Sequence, residues 1–577
     1  MTDKHAFYLP ISKIMLTFLL VIGVLTFLSL QPAAAQIEKE GDLSFQLTYD
    51  GTSYTVVGCE KTAAGDLMIP ATYKDLPVTG IGASAFWECA NLTGITVPEG
   101  ITVINPNTFY GCTGLKSIIL PDSVTVIGRN AFSGCTGLTS VTLSKSLTLI
   151  EGTAFQACSN LKSITIPEGV TEIGERVFED CTNLTNISIP SSVTVLAGAF
   201  LDCPNLAYTV YDNGKYLGNA NNPYLVLMES TAKDITQCNI HTDTRFIYFW
   251  AFADCTRLTQ ITIPDKVTHI GTGVFADCVG LTDVTIGKET RNIESSAFSG
   301  CTSLNGIWVP EENPNFTSSL GILFTKEKTM LIKAPATLSG TYTVPESVTC
   351  INHSAFYGCD NLTGVTIGKD VTTIGSHAFG NCDRLASISV AEDNLNYKTD
   401  SAGVLFNKKE TLLIQMPGAY RGAYTVPDSV TMLDQYSLLG CAGLESLTIP
   451  KSIQNLGYKA FDGCTNLKTI HYLGAQARWE QLITKDFNEP PENVQVTFAI
   501  PQETTPSTQP TTEPTSMPTA APTAIPTTAP ITQPTTAATT PVDNEQDKGV
   551  STGVIVGIAA VIAIGTAVFV IFKKKKA

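Results

Sequence analysis

A period of 23 residues is the feature that most constrains what this chain can fold into. The unit V-T-x-I-G-x-x-A-F-x-x-C-x-x-L-x-x-I-x-I-P-x-x is clearest in 124–167. Its cysteine marks the register, at Cys89, Cys112, Cys135, Cys158 and Cys181. A fixed period of this length is typical of a solenoid, whose units bury their apolar faces only against each other. We therefore expect a strand-dominated α/β repeat solenoid over residues 78–470.

Each part of the unit predicts one part of a coil. L-x-x-I-x-I alternates and is β-branched, which predicts a short strand, and stacked units would form a parallel sheet. V-T-x-I predicts a return segment with inward Val and Ile. A-F-x-x-C-x-x-L is too short for a full helix, so a single helical turn is predicted, with the phenylalanines stacked into a spine.

The cysteine spacing stretches three times. It becomes 52, 58 and 59 residues after Cys203, Cys301 and Cys382. Each stretch fits two coils plus extra residues. The last two stretches match each other and predict long hairpins rising from the coil, at 311–345 and 392–427.

Of the 16 cysteines, 13 occupy one phase of the repeat. Neighbouring rungs would lie about 4.8 Å apart with parallel side chains, whereas a disulfide needs converging Cβ atoms about 3.5–4.5 Å apart. We interpret them as a ladder of buried thiols, with occasional oxidised pairs as the alternative. The histidines do not follow the cysteine phase, which argues against a zinc array.

The flanks predict targeting and capping. Residues 1–35 resemble a signal peptide, with an apolar run from Ile14 to Leu30 and Ala33-Ala34-Ala35 as a cleavage site. An uncleaved membrane helix is the alternative. Residues 36–77 predict an N-terminal β cap, and residues 471–499 predict a C-terminal cap with a final strand.

The C-terminal region predicts an anchor. Residues 500–548 are rich in Thr and Pro and predict a disordered stalk. Residues 549–572 are uncharged and apolar, long enough for one transmembrane helix. The basic tail, 573–577, would then be cytoplasmic, in a type I membrane protein. A wall-sorting signal is the rival, but no L-P-x-T-G motif precedes the run.

Composition and motifs exclude several functions. The net charge of −16 argues against nucleic acid, which needs clustered Lys and Arg. No H-E-x-x-H, G-x-S-x-G or EF-hand loop occurs in the sequence. We therefore expect a protein that is not an enzyme and that uses no cofactor or metal.

The outward position of the predicted strand forms a mainly hydroxyl column. Trp308 interrupts that column, and exposed Trp is enriched in binding hot spots. The alternative is β-propensity on a solvent face. Our candidate binding residues are Trp308, Thr285, Thr366, Thr262 and His471.

The repeat recurs 13 times and resembles the BspA-like leucine-rich repeat of the Treponema type. The segment Y-x-G-x-x-x-x-W at 472–479 also resembles a closing element of bacterial members. The resemblance implies a cell-surface or secreted protein, often an adhesin for host or bacterial surfaces such as matrix proteins. It implies no catalytic residues. A structural envelope component that associates laterally, with no foreign ligand, is the alternative.

Overall fold

The structure, a computed structural model, describes residues 37–294, 296–484 and 487–499. These residues belong to one compact unit. The predicted signal peptide (1–35), stalk (500–548), transmembrane helix (549–572) and basic tail (573–577) lie outside the described residues. Within the described ranges, no helix has the length and apolar character needed to cross a bilayer.

The L-x-x-I-x-I segments form the first ladder, a stack of strands joined mostly in parallel. Ser140–Thr142 pairs in register with Ser117–Ile119, one repeat earlier. The inward isoleucines are buried, whereas the residues on either side point outward. The strands of the first ladder are Gly65–Met68, Leu92–Thr96, Ser117–Ile119, Ser140–Thr142, Ser163–Thr165, Asn186–Ser188, Gln260–Thr262, Asp283–Thr285, Gly306–Trp308, Gly340–Thr343, Leu362–Ile367, Ser387–Val390, Gly422–Thr425, Leu444–Ile449, Thr469–Tyr472 and Gln495–Phe498.

The V-T-x-I segments form the second ladder, built from two-residue strands. Val124 and Ile127 are fully buried, which confirms the inward Val and Ile. Val126–Ile127 pairs in parallel with the coils before and after it. The short strands of the second ladder are Val103–Ile104, Val126–Ile127, Leu149–Ile150, Glu172–Ile173, Val195–Leu196, Phe246–Ile247, His269–Ile270, Asn292–Ile293, Cys350–Ile351, Thr373–Ile374, Met432–Leu433 and Asn455–Leu456.

The A-F-x-x-C segments form a third side, the turn face, and the predicted helical turn is wrong. The amides of Asn130, Phe132 and Gly134 donate to carbonyl oxygens of the next coil. The amides between them bond within the turn, and Asn130 has a φ of 55°. Because every second amide points to the neighbouring coil, no run of helical hydrogen bonds can form. The described array is therefore almost entirely strand and turn.

The predicted phenylalanine spine is confirmed. Successive rings from Phe109 to Phe200 lie 5.1–5.8 Å apart and are nearly parallel. Beside them, the 13 repeat cysteines are buried and unpaired in disulfides. The thiol of Cys158, for example, donates to the carbonyl oxygen of Phe132 at 3.2 Å, and burial raises its pKa. A proton held in this way suits the interpretation as structural thiols.

Sheets and one helix cover the two ends of the described array. The N-terminal strands are Ile37–Glu40, Leu43–Leu47, Tyr54–Cys59, Thr72–Tyr73 and Leu76–Ile81. At the other end, Gln495–Phe498 adds a parallel strand beside Thr469–Tyr472. The one helix of the described residues, Gln476–Leu482, places the ring of Trp479 5.4 Å from that of Tyr472.

The three stretched segments each contain a coil of a different kind. Each begins with three antiparallel strands, and the third strand pairs in parallel within the second ladder. Two coils per stretch are thus confirmed, but the hairpins are built into the coil rather than rising from it. The strands are Thr209–Tyr211, Gly214–Leu217, Val226–Ser230, Phe316–Ser319, Ile322–Thr325, Met330–Lys333, Tyr397–Thr399, Leu405–Asn407 and Leu412–Gln415.

These three coils lack the A-F-x-x-C turn, and we call them the first, second and third shortened coils. Only a few residues, 231–235, 334–338 and 416–420, lead from the last hairpin strand back towards the first ladder. The second and third shortened coils add a strand to both ladders, Gly340–Thr343 and Gly422–Thr425 in the first ladder, and the first adds one to the second ladder alone. The turn face gains nothing at any of the three. The phenylalanine spine is interrupted there, and the turn face is shorter than the other two sides.

Candidate functional site

Three of the five candidate binding residues lie side by side on the sheet face, the surface of outward side chains of the first ladder. The strands Gln260–Thr262, Asp283–Thr285 and Gly306–Trp308 form one parallel sheet. Its register places Thr262, Thr285 and Trp308 directly opposite each other. Neighbouring side chains of such a row lie about 5 Å apart, so they form one continuous surface.

Trp308 is held in a fixed orientation on this surface. Its Nε1–H donates to a carboxylate oxygen of Asp283 at 2.9 Å. The indole edge lies over Gly306, where a Cβ atom would be 2.5 Å from Cζ2 of Trp308. The side chain nevertheless remains 45% exposed. The glycine and the carboxylate therefore orient an aromatic ring that solvent still reaches.

The other two candidates lie on separate sheets. Thr366 is paired with Thr343 and Ser389. His471 is farther along the first ladder, with Nδ1 2.7 Å from the hydroxyl of Thr497. The structure thus brings Trp308, Thr285 and Thr262 together and does not bring Thr366 or His471 to them.

The second shortened coil is the reason for this separation. The amide of Ile307 donates to the carbonyl of Gly321 in the hairpin turn at 3.0 Å. The amide of Val309 donates to the hydroxyl of Ser318 at 3.1 Å. The hairpin turn therefore closes the edge of the Trp308 strand, and the first ladder restarts beyond it.

Asp283 and Gly306 also belong to this candidate surface, although the sequence did not single them out. Both stand at the outward position two residues before the central one, in consecutive repeats. The signal was present, because glycine at an outward strand position marks a close approach by another group. Over the described residues, no three His, Cys, Asp or Glu side chains are grouped to hold a metal.

A family model now accounts for this repeat. The BspA type leucine rich repeat region matches residues 79–207, 230–333, 336–410 and 422–478, more than half of the chain. The chain belongs to the BspA-type leucine-rich-repeat family. The matched residues contain the Trp308 sheet and both ladders, except the two end strands of the first ladder, Gly65–Met68 and Gln495–Phe498. They also include Met330–Lys333, the last hairpin strand of the second shortened coil, whereas Leu412–Gln415 of the third lies between two matched ranges.

Solved structures of bacterial repeat proteins are similar to this family member. A leucine rich cell surface protein from Faecalibacterium prausnitzii A2-165 is 26% identical over 78% of this chain and 98% of its own, with a TM-score of 0.32. A leucine-rich repeat protein from Bacteroides ovatus ATCC 8483 is 25% identical over 80% and 99%, with a TM-score of 0.34. The T. pallidum Leucine Rich Repeat protein is 24% identical over 43% and 91%, with a TM-score of 0.25. No curated protein matches the chain.

Proposed function

We propose that this chain is a non-enzymatic cell-surface protein that binds proteins of host or bacterial surfaces through its sheet face. The observation that carries the proposal is the fixed and exposed indole of Trp308 beside Thr285 and Thr262. A signal peptide, a stalk and a transmembrane helix, as the sequence predicts them, would display this face outside the cell as a type I membrane protein.

The orientation of Trp308 supports a role as an anchor for a partner protein. A buried tryptophan at the centre of an interface contributes more binding free energy than most residues do. The bond to Asp283 fixes the indole before a partner arrives, so little side-chain entropy is lost on binding. The surrounding threonines carry no charge, so covering them costs little desolvation, and the nearby carboxylate of Asp283 keeps its hydrogen bond to the indole.

Binding of the full-length chain to extracellular-matrix proteins, host cells and bacterial cells tests this proposal. We expect saturable binding that Trp308→Ala weakens by at least about tenfold, as for a hot-spot residue. Gly306→Ala should weaken it as well, because the new Cβ displaces the indole from its seat. Trp87→Ala is the matched control, since Trp87 is similarly exposed but belongs to the turn face.

Two results would contradict the proposal. Binding that both Trp308→Ala and Gly306→Ala leave unchanged would move the contact away from the sheet face. Self-association in sedimentation experiments, with no binding to any foreign protein or cell, would instead favour a structural envelope component. The mutual stacking of many copies would then be the function of the exposed face.

A further inference from the structure

A groove crosses the turn face over the positions of the second and third shortened coils, where the A-F-x-x-C turn is missing. It encloses about 510 Å³, between Asp277 at one end and Asp462 at the other. Its origin is the missing turns. Where two coils contribute to both ladders but not to the turn face, the turns on either side approach each other, as the 4.0 Å between the rings of His377 and Tyr436 shows.

Aromatic side chains form the walls of this groove. Tyr357 is half-buried, and its hydroxyl accepts a hydrogen bond from the amide of Asn381 at 2.8 Å. The rings of His377 and Tyr436 lie 4.0 Å apart, across the third shortened coil. The first contact joins the turns of adjacent coils, and the second joins turns on either side of a shortened coil. The groove is therefore a feature of the array and not of any one repeat.

Polar groups stand at its ends. The carboxylates of Asp277 and Asp462 line the groove, together with the ammonium group of Lys459. Burial raises the pKa of Tyr357, and the charges of Asp277 and Asp462 add to the effect. Asp277, Asp462 and Tyr357 all line the same groove.

We propose that this groove binds a neutral oligosaccharide. Its volume lies in the range of about 300–1,000 Å³ that is usual for small-ligand sites. Tyrosine rings offer flat apolar surfaces for the C–H faces of sugar rings. Carboxylate, amide and hydroxyl groups provide acceptors and donors for the many hydroxyls of a sugar. This function is additional to protein binding at the sheet face and uses a different side of the coil.

The lining favours a neutral ligand over a charged one. Two carboxylates stand against one ammonium group, so the ends of the groove nearly balance in charge. An anion would meet Asp277 and Asp462, and a polycation would meet Lys459. A sugar hydroxyl can donate to the former and accept from the latter, so it satisfies both kinds of group.

Calorimetric titration of the full-length chain tests the proposal. The chain is kept in a detergent without a sugar headgroup and is titrated with neutral tri- to hexasaccharides of glucose, mannose, xylose and N-acetylglucosamine. We expect saturable binding of at least one of these. Tyr357→Ala and Tyr436→Ala should each weaken that binding by about tenfold or more, because each removes a stacking surface.

The repeat supplies matched controls for these variants. Tyr110 occupies the position of Tyr357 in an earlier coil, and Asp254 occupies that of Asp277. Tyr110→Ala and Asp254→Asn should leave oligosaccharide binding unchanged, whereas Asp277→Asn should weaken it. Circular dichroism of every variant verifies that the fold is retained.

Three outcomes would overturn the proposal. No oligosaccharide of the panel binds; or one binds equally well to the groove variants and to their controls; or a lysine oligomer binds in the groove while no sugar does. None of these outcomes depends on the sheet face. Failure here therefore leaves the Trp308 proposal to its own test.

Discussion

The first and second shortened coils solve the same structural problem in different ways. Both lack a turn, and both interrupt the phenylalanine spine. In the first, the next coil fills the space with Tyr248, at the position of the repeat glycine. Its ring is 6.0 Å from that of Phe200, and the Phe200 amide donates to its hydroxyl at 2.7 Å.

The second shortened coil has no such ring. Asn352 stands at the position of Tyr248, and the shortened coil itself contributes Lys333. The buried Lys333 ammonium donates to the carbonyls of Ser354 and Tyr357 at 3.1 and 3.0 Å. An aromatic filling restores the spine, whereas a lysine supports the next turn and leaves the groove beside it open. The side chain that fills the space of the missing turn therefore decides whether that space belongs to the core or stays open to solvent.

Removing the aromatic filling should have the largest effect on stability. Tyr248→Ala leaves a cavity and removes the acceptor of the Phe200 amide. We expect the free energy of local opening at residues 197–200 to fall by about 3–5 kcal/mol, as for other large-to-alanine changes in a core. Hydrogen exchange of the Phe200 amide measures this fall.

The conservative variant separates packing from hydrogen bonding. Tyr248→Phe keeps the ring and should cost about 1–3 kcal/mol, the cost of leaving a buried amide unpaired. Asn352→Ala, at the same position beside the second shortened coil, should have little effect on residues 197–200. Equal losses in Tyr248→Ala and Tyr248→Phe would show that the ring does not fill the gap.

The lysine filling should instead make stability depend on alkaline pH. Burial lowers the pKa of Lys333 from its usual 10.5, while the nearby thiols Cys359 and Cys301 oppose the shift. Between the lowered pKa and about 10.4, the unfolded chain binds more protons than the folded chain, so the free energy of unfolding rises with pH. Each unit of pKa lowering corresponds to about 1.4 kcal/mol.

Urea unfolding of Lys333→Met between pH 7 and 10 measures this contribution. The midpoint of the parent chain should rise relative to that of the variant across this range. The facing thiols Cys301 and Cys359 have pKa values raised to about 12 and do not titrate in it. Lys459→Met, which removes an exposed lysine, should show no such difference. If the urea midpoints of the parent and of Lys333→Met change with pH in the same way, burial does not lower the pKa of Lys333.

Sequence could predict the number of coils but not how the gaps are filled. Cys301 and Cys359 each lie in a recognisable 23-residue unit, and the 58 residues between them are long enough for two coils. The number of coils in that stretch was therefore predictable. Tyr248 was also visible as a departure from glycine, but its meaning depends on a neighbouring coil that lacks a turn. The helical turn was wrong for a similar reason, because Phe132 donates to Ala154 in another coil.

The candidate sheet face was predictable in part. Alternation within the strand placed Trp308 outward, and the structure leaves it half-exposed. Alternation could not show that the hairpin turn at Gly321 would separate Thr366 from it. The hydrogen bond that causes this separation joins Ile307, a repeat residue, to Gly321, which lies in the hairpin and has no counterpart in the 23-residue repeat. The groove on the turn face could not be predicted, since it depends on contacts between turns on either side of a shortened coil, such as that of His377 with Tyr436.

The smallest expected effect is an acid sensitivity confined to the aromatic region. His269 stacks on Phe246, with ring centroids 5.1 Å apart, three coils after the Phe200 turn. Burial, with Arg291 and Arg245 nearby, lowers its pKa to about 4. Its neutral ring therefore fits the fold fully above about pH 6.5, and stability is lost as the pH falls towards 4.

Because the ring of His269 is partly exposed, solvent screening reduces the loss to about 1 kcal/mol. Urea midpoints of the parent and of His269→Gln should thus converge or cross between pH 7 and 4. If the parent midpoint does not fall relative to that of His269→Gln, the charged ring of His269 is accommodated by solvent. The aromatic region beside the first shortened coil would then be no more sensitive to acid than the region around Lys333.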